Sequence, residues 1–158
     1  MIRERLAELE PDNTDYLRDL VWSFRALGET VRKRDLVHAC EQYVKVVETS
    51  RRLVATAQSR EAMLDQGRWL IQLGMIEFEL GDPHAVACFD EAIQIGRLLA
   101  EQDPDDAKAW SLIALAYGGL AEWHRQRGDA AKERGLSKQA HSYMEHAASL
   151  RPDDADLQ

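Results

Sequence analysis

The chain has 158 residues, 45% of them hydrophobic and 30% charged, a globular composition large enough for one domain and not that of a disordered segment. Its formal net charge of −8 argues against nucleic acid as the main partner, because phosphate binding draws on a surplus of Lys and Arg. The charged start MIRERLAELE does not read as a signal peptide, and no apolar stretch reaches membrane-spanning length.

In chain order, the first predicted helix covers 2–10 and stops at Pro11 in LEPDN. Asp12 and Asn13 then offer side-chain oxygens to the free N–H groups of a first turn. Leu17, Leu20, Phe24, Leu27 and Val31 follow at helical spacing and predict a helix over 13–33. A second helix over 36–57 carries Ala39 and, four residues on, Tyr43. The joint at 55–63 lacks a proline, and Ser59 is its candidate cap before a helix over 60–80. Gly81-Asp82 ends that helix, since Gly tolerates the left-handed conformation. A helix over 83–102 repeats the small-then-aromatic pair as Ala85 and Phe89. A helix over 106–127 carries Trp110, Ile113, Tyr117 and Leu120, and the last runs over 131–150, with Gly135 as a candidate bend.

The elements recur. Leu27-Gly28 returns as Leu73-Gly74 and Leu120-Ala121, and Arg34-Asp35 as Gly81-Asp82 and Gly128-Asp129, at intervals of 46 or 47 residues. The units are approximately 12–58, 59–103 and 104–151, each a pair of helices, with 1–11 as the remnant of a preceding helix. Residues 2–10 align with 95–103, and the ending DDADLQ looks like the start of a further unit, so a fragment of a longer array is expected. A helical hairpin cannot bury its apolar face alone, so the units are expected to stack side by side.

Phe24, Leu27, Gly28, Val31, Ala39 and Tyr43 in unit one, and Leu70, Leu73, Gly74, Gly81-Asp82, Ala85, Phe89 and Ala92 in unit two, carry a pattern that resembles the tetratricopeptide repeat. Unit three matches it through Tyr117, Leu120, Ala121 and Gly128-Asp129 and lacks the small-and-aromatic pair. These units are longer than the family's usual ~34 residues and are similar to tandem repeats of large bacterial multidomain proteins. The resemblance covers the whole chain. It implies an all-α, right-handed α–α superhelix of about three hairpins, and a protein- or peptide-binding scaffold in a signalling or regulatory protein, with no chemistry or cofactor of its own. An oligomerisation element working by self-association is the alternative.

The chemistry-bearing residues are sparse. Cys40 and Cys88 imply no disulfide framework and fit a reducing, cytoplasmic compartment. His84 and Cys88 lie four apart on one helix face, with His38 and Cys40 near the matching place in unit one. Without further ligands at recognisable spacing they read as packing at the seam between successive second helices. His141 and His146 are five apart and fall on different faces. Glu122, Trp123 and His124 lack a nucleophile or phosphate loop nearby, and Gly118-Gly119 reads as close helix packing.

In tetratricopeptide arrays the first helix of each hairpin lines the concave face, so the resemblance places Trp22, Arg25, Glu29 and Arg32 there in unit one. Arg68, Ile71, Met75 and Phe78 follow in unit two, and Leu115, Gly118, Glu122 and Arg125 in unit three. This implies an apolar centre of Ile71, Met75, Phe78 and Leu115 ringed by Arg25, Arg32, Arg68 and Arg125, suited to a segment with apolar anchors and acidic flanks. The rival expectation is that unit two's apolar residues pack against neighbouring helices. Among the tryptophans, Trp110 is expected in the core, Trp69 and Trp123 at its edge or an interface, and Trp22 on the surface shared by the first helices.

Overall fold

The computed structural model describes Arg5 and residues 9–150. The helix expected over 2–10, and the ending from 151 onward, fall largely or wholly outside the described residues. Among those described there are six helices and no strand: α1 Thr14–Val31, α2 Leu36–Ala57, α3 Arg60–Leu80, α4 His84–Gln102, α5 Ala107–Gln126 and α6 Ala130–Ser149. None is long and apolar enough to cross a membrane.

The boundaries follow from local chemistry. Asn13 Oδ1 accepts from the N–H groups of Asp15 and Tyr16, Ser59 Oγ from Ala62, and Asp106 Oδ1 from Lys108 and Ala109. Asp35 and Asp129 cap α2 and α6 in the same way, through His38 and Lys132. These bonds satisfy donors that a first helical turn leaves open. Gly81 and Gly128, at φ 75° and 74°, take the left-handed conformation that ends α3 and follows α5. Gly135 does not split α6, which continues through it as one helix.

Each helix packs on the one before it and the one after it, and α3 also packs on α5. Ala39, Tyr43, Ala85 and Phe89, the two small-and-aromatic pairs, are all buried. Phe89 of α4 lies against both neighbouring helices. A Cβ on Gly74 of α3 would stand 3.0 Å from its ring, and one on Gly119 of α5 would stand 2.5 Å from it. The two backbones therefore close on Phe89 from both sides. Gly118, the other half of that glycine pair, faces open space and packs on nothing.

Two apolar clusters form the core. One joins α1 to α2 and the start of α3 through Leu17, Leu20, Val21, Phe24, Val46, Leu53 and Ala62. The other runs from α2 through α5, with α6 packed against it. Leu27, expected on the buried stripe, is 39% exposed, because Gly28 is the residue that faces Tyr43. Trp123 is fully in the core, whereas Trp110 is only half-buried, stacked 5.8 Å from Tyr143 of α6 and donating its indole N–H to the Pro104 carbonyl.

Candidate functional site

The spacing between first helices differs along the chain. No Cα of α1 comes within 8 Å of one in α3, whereas α3 and α5 approach closely. Gly67 and Leu112 explain the close pair: a Cβ on Gly67 would stand 2.5 Å from the Leu112 side chain. The repeat places Val21 and Asp65 at the corresponding positions of α1 and α3. A branched side chain stands where α3 has Gly67, and closing this gap would strip water from the half-exposed Asp65–Arg68 pair.

The space left open is a cleft of about 610 Å³ lined by Trp22, Arg25, Glu29, Tyr43, Asp65, Arg68, Trp69, Gln72 and Leu115. It adjoins a smaller recess of about 190 Å³ floored by Val21, Ser50, Leu53 and Ala62 and sharing Trp22, Asp65 and Trp69. Trp22 is 57% exposed. The Arg25 guanidinium carbon lies 4.7 Å from the Trp22 ring centroid and 5.7 Å from that of Trp69, within cation–π range of both. One cation thus spans the cleft between rings from two helices. Burial first, and then the Glu29 carboxylate, push the Tyr43 phenol at its wall above its ordinary value.

Of the residues expected on the groove face, Trp22, Arg25, Glu29, Arg68 and Leu115 meet in this cleft, and Met75 is exposed farther along α3. The apolar centre does not form as expected. Ile71 is 7% exposed and belongs to the core, and Phe78 packs on Trp123 with ring centroids 6.2 Å apart. Phe78 thus meets α5 and Ile71 is buried in the core, so the rival expectation of packing holds for these two residues. The arginines are also engaged. Arg25 pairs with Glu29 at 3.0 Å, Arg68 with Asp65 at 3.0 Å, Arg32 with Glu79 across α1–α3 at 2.5 Å, and Arg125 with Glu122. Three of these are pairs within one helix with at least one exposed partner, weak in water and open to exchange for a ligand's carboxylate.

A second cluster lies at the α3–α4 turn. Glu77, at the end of α3, is buried, and its Oε1 is 2.8 Å from His84 Nδ1. Cys88 Sγ donates to Glu77 Oε2 at 3.3 Å and lies 3.7 Å from His84 Nδ1. Burial, followed by the Glu77 charge, pushes the Cys88 thiol far up, so it rests as S–H. Cys40 is half-buried and also raised, by burial first and then by Glu77 and Asp82. A cleft of about 230 Å³ beside His84 and Cys88 is also lined by Val44 and Val47 of α2 and Leu70 and Leu73 of α3. The pair thus meets α3 as well as the seam between second helices. Sequence reasoning singled out His84 and Cys88 and missed Glu77. The signal was present: Glu77 follows Leu70, Leu73 and Gly74 by seven, four and three residues, on the face that carries the core stripe.

No family model matches the chain, and no curated protein matches it.

Proposed function

We propose that this chain is a tetratricopeptide-like scaffold, a right-handed α–α superhelix of cytoplasmic bacterial type, without catalysis of its own, that holds a segment of a protein partner in the cleft between α1 and α3. The open, aromatic-walled cleft carries this reading. Trp22 stands exposed at its edge, and large rigid aromatics contribute most to protein contacts. Recurrence of the caps Asn13, Ser59 and Asp106 at intervals of 46 and 47 residues, and the packing of each helix on its sequence neighbours, support the repeat architecture. The segment's anchor is apolar or aromatic and seats against the exposed Trp22 ring beside Arg25. Its acidic flanks exchange with Glu29 and Asp65 for Arg25 and Arg68.

Selection from a displayed random-peptide library tests this, followed by titration of the selected peptides against wild type, Trp22→Ala and the Arg68→Ala/Met75→Ala double variant. Binding is expected to weaken by at least about tenfold in both variants, with melting unchanged. Equal binding by all three proteins would remove the cleft from the reading. Light scattering at several concentrations separates it from self-association, which predicts an oligomer without any peptide.

A further inference from the structure

Glu77 is costly where it stands. A buried carboxylate needs partners for its charge and its oxygens. The partners here are an imidazole and a thiol, the two side chains most used to bind zinc. The Gly81-Asp82-Pro83 turn holds them together: Asp82 Oδ1 accepts from the His84 N–H at 2.9 Å, fixing the first residue of α4. Cys88 then follows one helical turn later on the same face.

We propose that Glu77, His84 and Cys88 form a site for one thiophilic divalent cation of the zinc class, bound through a carboxylate oxygen, Nδ1 and Sγ, with the fourth position open to solvent. All three donor atoms lie within 4.8 Å of one another. His84 Nδ1 lies 2.8 Å from Glu77 Oε1, Cys88 Sγ lies 3.3 Å from Glu77 Oε2, and the sulfur and nitrogen are 3.7 Å apart, so imidazole and thiol meet at the two oxygens of one carboxylate. Zinc bonds of ~2.0–2.3 Å in tetrahedral array put ligand atoms about 3.3–3.6 Å apart, so donors already within 4.8 Å of one another need only draw together around the ion. Sulfur and imidazole select zinc, or cobalt(II) as its stand-in, over magnesium and calcium, which take oxygen ligands.

Burial and access are divided as such a site requires. Glu77 and Cys88 are almost inaccessible, while the His84 side chain is 60% exposed and gives the ion a way in. The adjoining cleft at His84 and Cys88 leaves room for a water at the fourth position. On binding, the thiol proton passes to solvent as the S–metal bond forms, and His84 keeps its remaining proton on Nε2, facing out. The competing account is an ion pair between protonated His84 and Glu77 with no ion involved. A nucleophilic role for Cys88 fits less well, because reactive cysteines sit in accessible, electropositive surroundings.

The test uses the full chain with a non-thiol reductant. Cobalt(II) titration is expected to produce a thiolate-to-cobalt charge-transfer band saturating at one equivalent, which zinc then bleaches by displacement. His84→Ala, a change at an exposed side chain, is expected to weaken zinc binding by about 100-fold or more in calorimetry, since loss of even an outer partner of a ligand costs 10–100-fold. Cys88→Ala abolishes the band, and His141→Ala leaves band and affinity unchanged. Absence of the band in wild type, or zinc binding undiminished in His84→Ala, would overturn the proposal.

Discussion

Arg60 Nη2 stands 2.6 Å from Asp106 Oδ2, joining the first residue of α3 to the cap of α5 across 46 residues of sequence. The same guanidinium donates to the Leu99 carbonyl and to Gln102 Oε1, each at 3.1 Å, so it also holds the end of α4. Thr14 and Ser59 occupy the corresponding places in α1 and before α3, and neither can form such an ion pair. The bridge from α1 to α3 falls instead near the other end of the helices, at Arg32 and Glu79. The difference fits an α3–α5 seam that is closed and an α1–α3 seam that is open.

Asp106→Ala is expected to destabilise the chain by about 1–2 kcal/mol through loss of the cap, and Arg60→Ala by about 1 kcal/mol. Desolvation pushes the Asp106 carboxyl up, but the Arg60 hydrogen bond and the Lys108 and Ala109 N–H groups outweigh it and hold the group below its ordinary value. A lowered folded value means that the stabilisation is complete above the unfolded carboxyl's pKa of about 3.9 and fades as pH falls through the folded value. Urea denaturation should therefore show a wild-type to Arg60→Ala gap that is constant from pH 7 to about 5 and shrinks below about 4.

Adjacent glycines in α5 should respond in opposite directions. Gly119→Ala places a methyl against Phe89, which Gly74 backs on its other side, and is expected to cost about 1–3 kcal/mol. Gly118→Ala meets open space in the middle of a helix and is expected to add about 0.5–1 kcal/mol. Thermal melts of the two variants decide this; matching shifts would mean that α4 and α5 are not in close contact.

Ile71 and Met75, one turn apart on α3, should also part company. Ile71→Ala leaves a hole in the core and is expected to cost about 2–5 kcal/mol. Met75 is 41% exposed, and its replacement by Ala is expected to change stability by less than about 1 kcal/mol. Chemical denaturation measures both, and an equally mild Ile71→Ala would return that residue to the groove surface.

The two free thiols should differ in alkylation. Cys88 is buried and its thiol strongly raised, by burial first and then by Glu77, so little thiolate is present at neutral pH. Iodoacetamide followed by mass spectrometry should label half-buried Cys40 before Cys88, with Cys88 reacting only as the chain unfolds. Rapid labelling of Cys88 in the native chain would contradict its burial.

Helix ends were readable without coordinates because they are set within a few residues. A cap such as Ser59 acts on a donor three positions away, and Gly81 terminates α3 through its own backbone angle. The small-and-aromatic pairs were readable for the same reason, since each hairpin brings its two helices together over a short turn. The orientation of an individual position was less secure. Leu27 and Gly28 differ by one residue, and only the seating of Tyr43 determines which of them faces inward.

The amino-acid order alone specified the six described helices and most of their ends, because those depend on contacts along one helix or across one turn. Packing between hairpins decided the rest. Whether Phe78 lies on a groove or packs on Trp123 depends on how near α5 comes to α3, and that distance depends on Gly67 meeting Leu112, residues 45 positions apart. The same kind of encounter brought Glu77 to His84 and Cys88 and left Trp22, Arg25 and Trp69 around an open cleft. Separation between non-adjacent helices is a sum over all their facing side chains, and no local pattern encodes that sum.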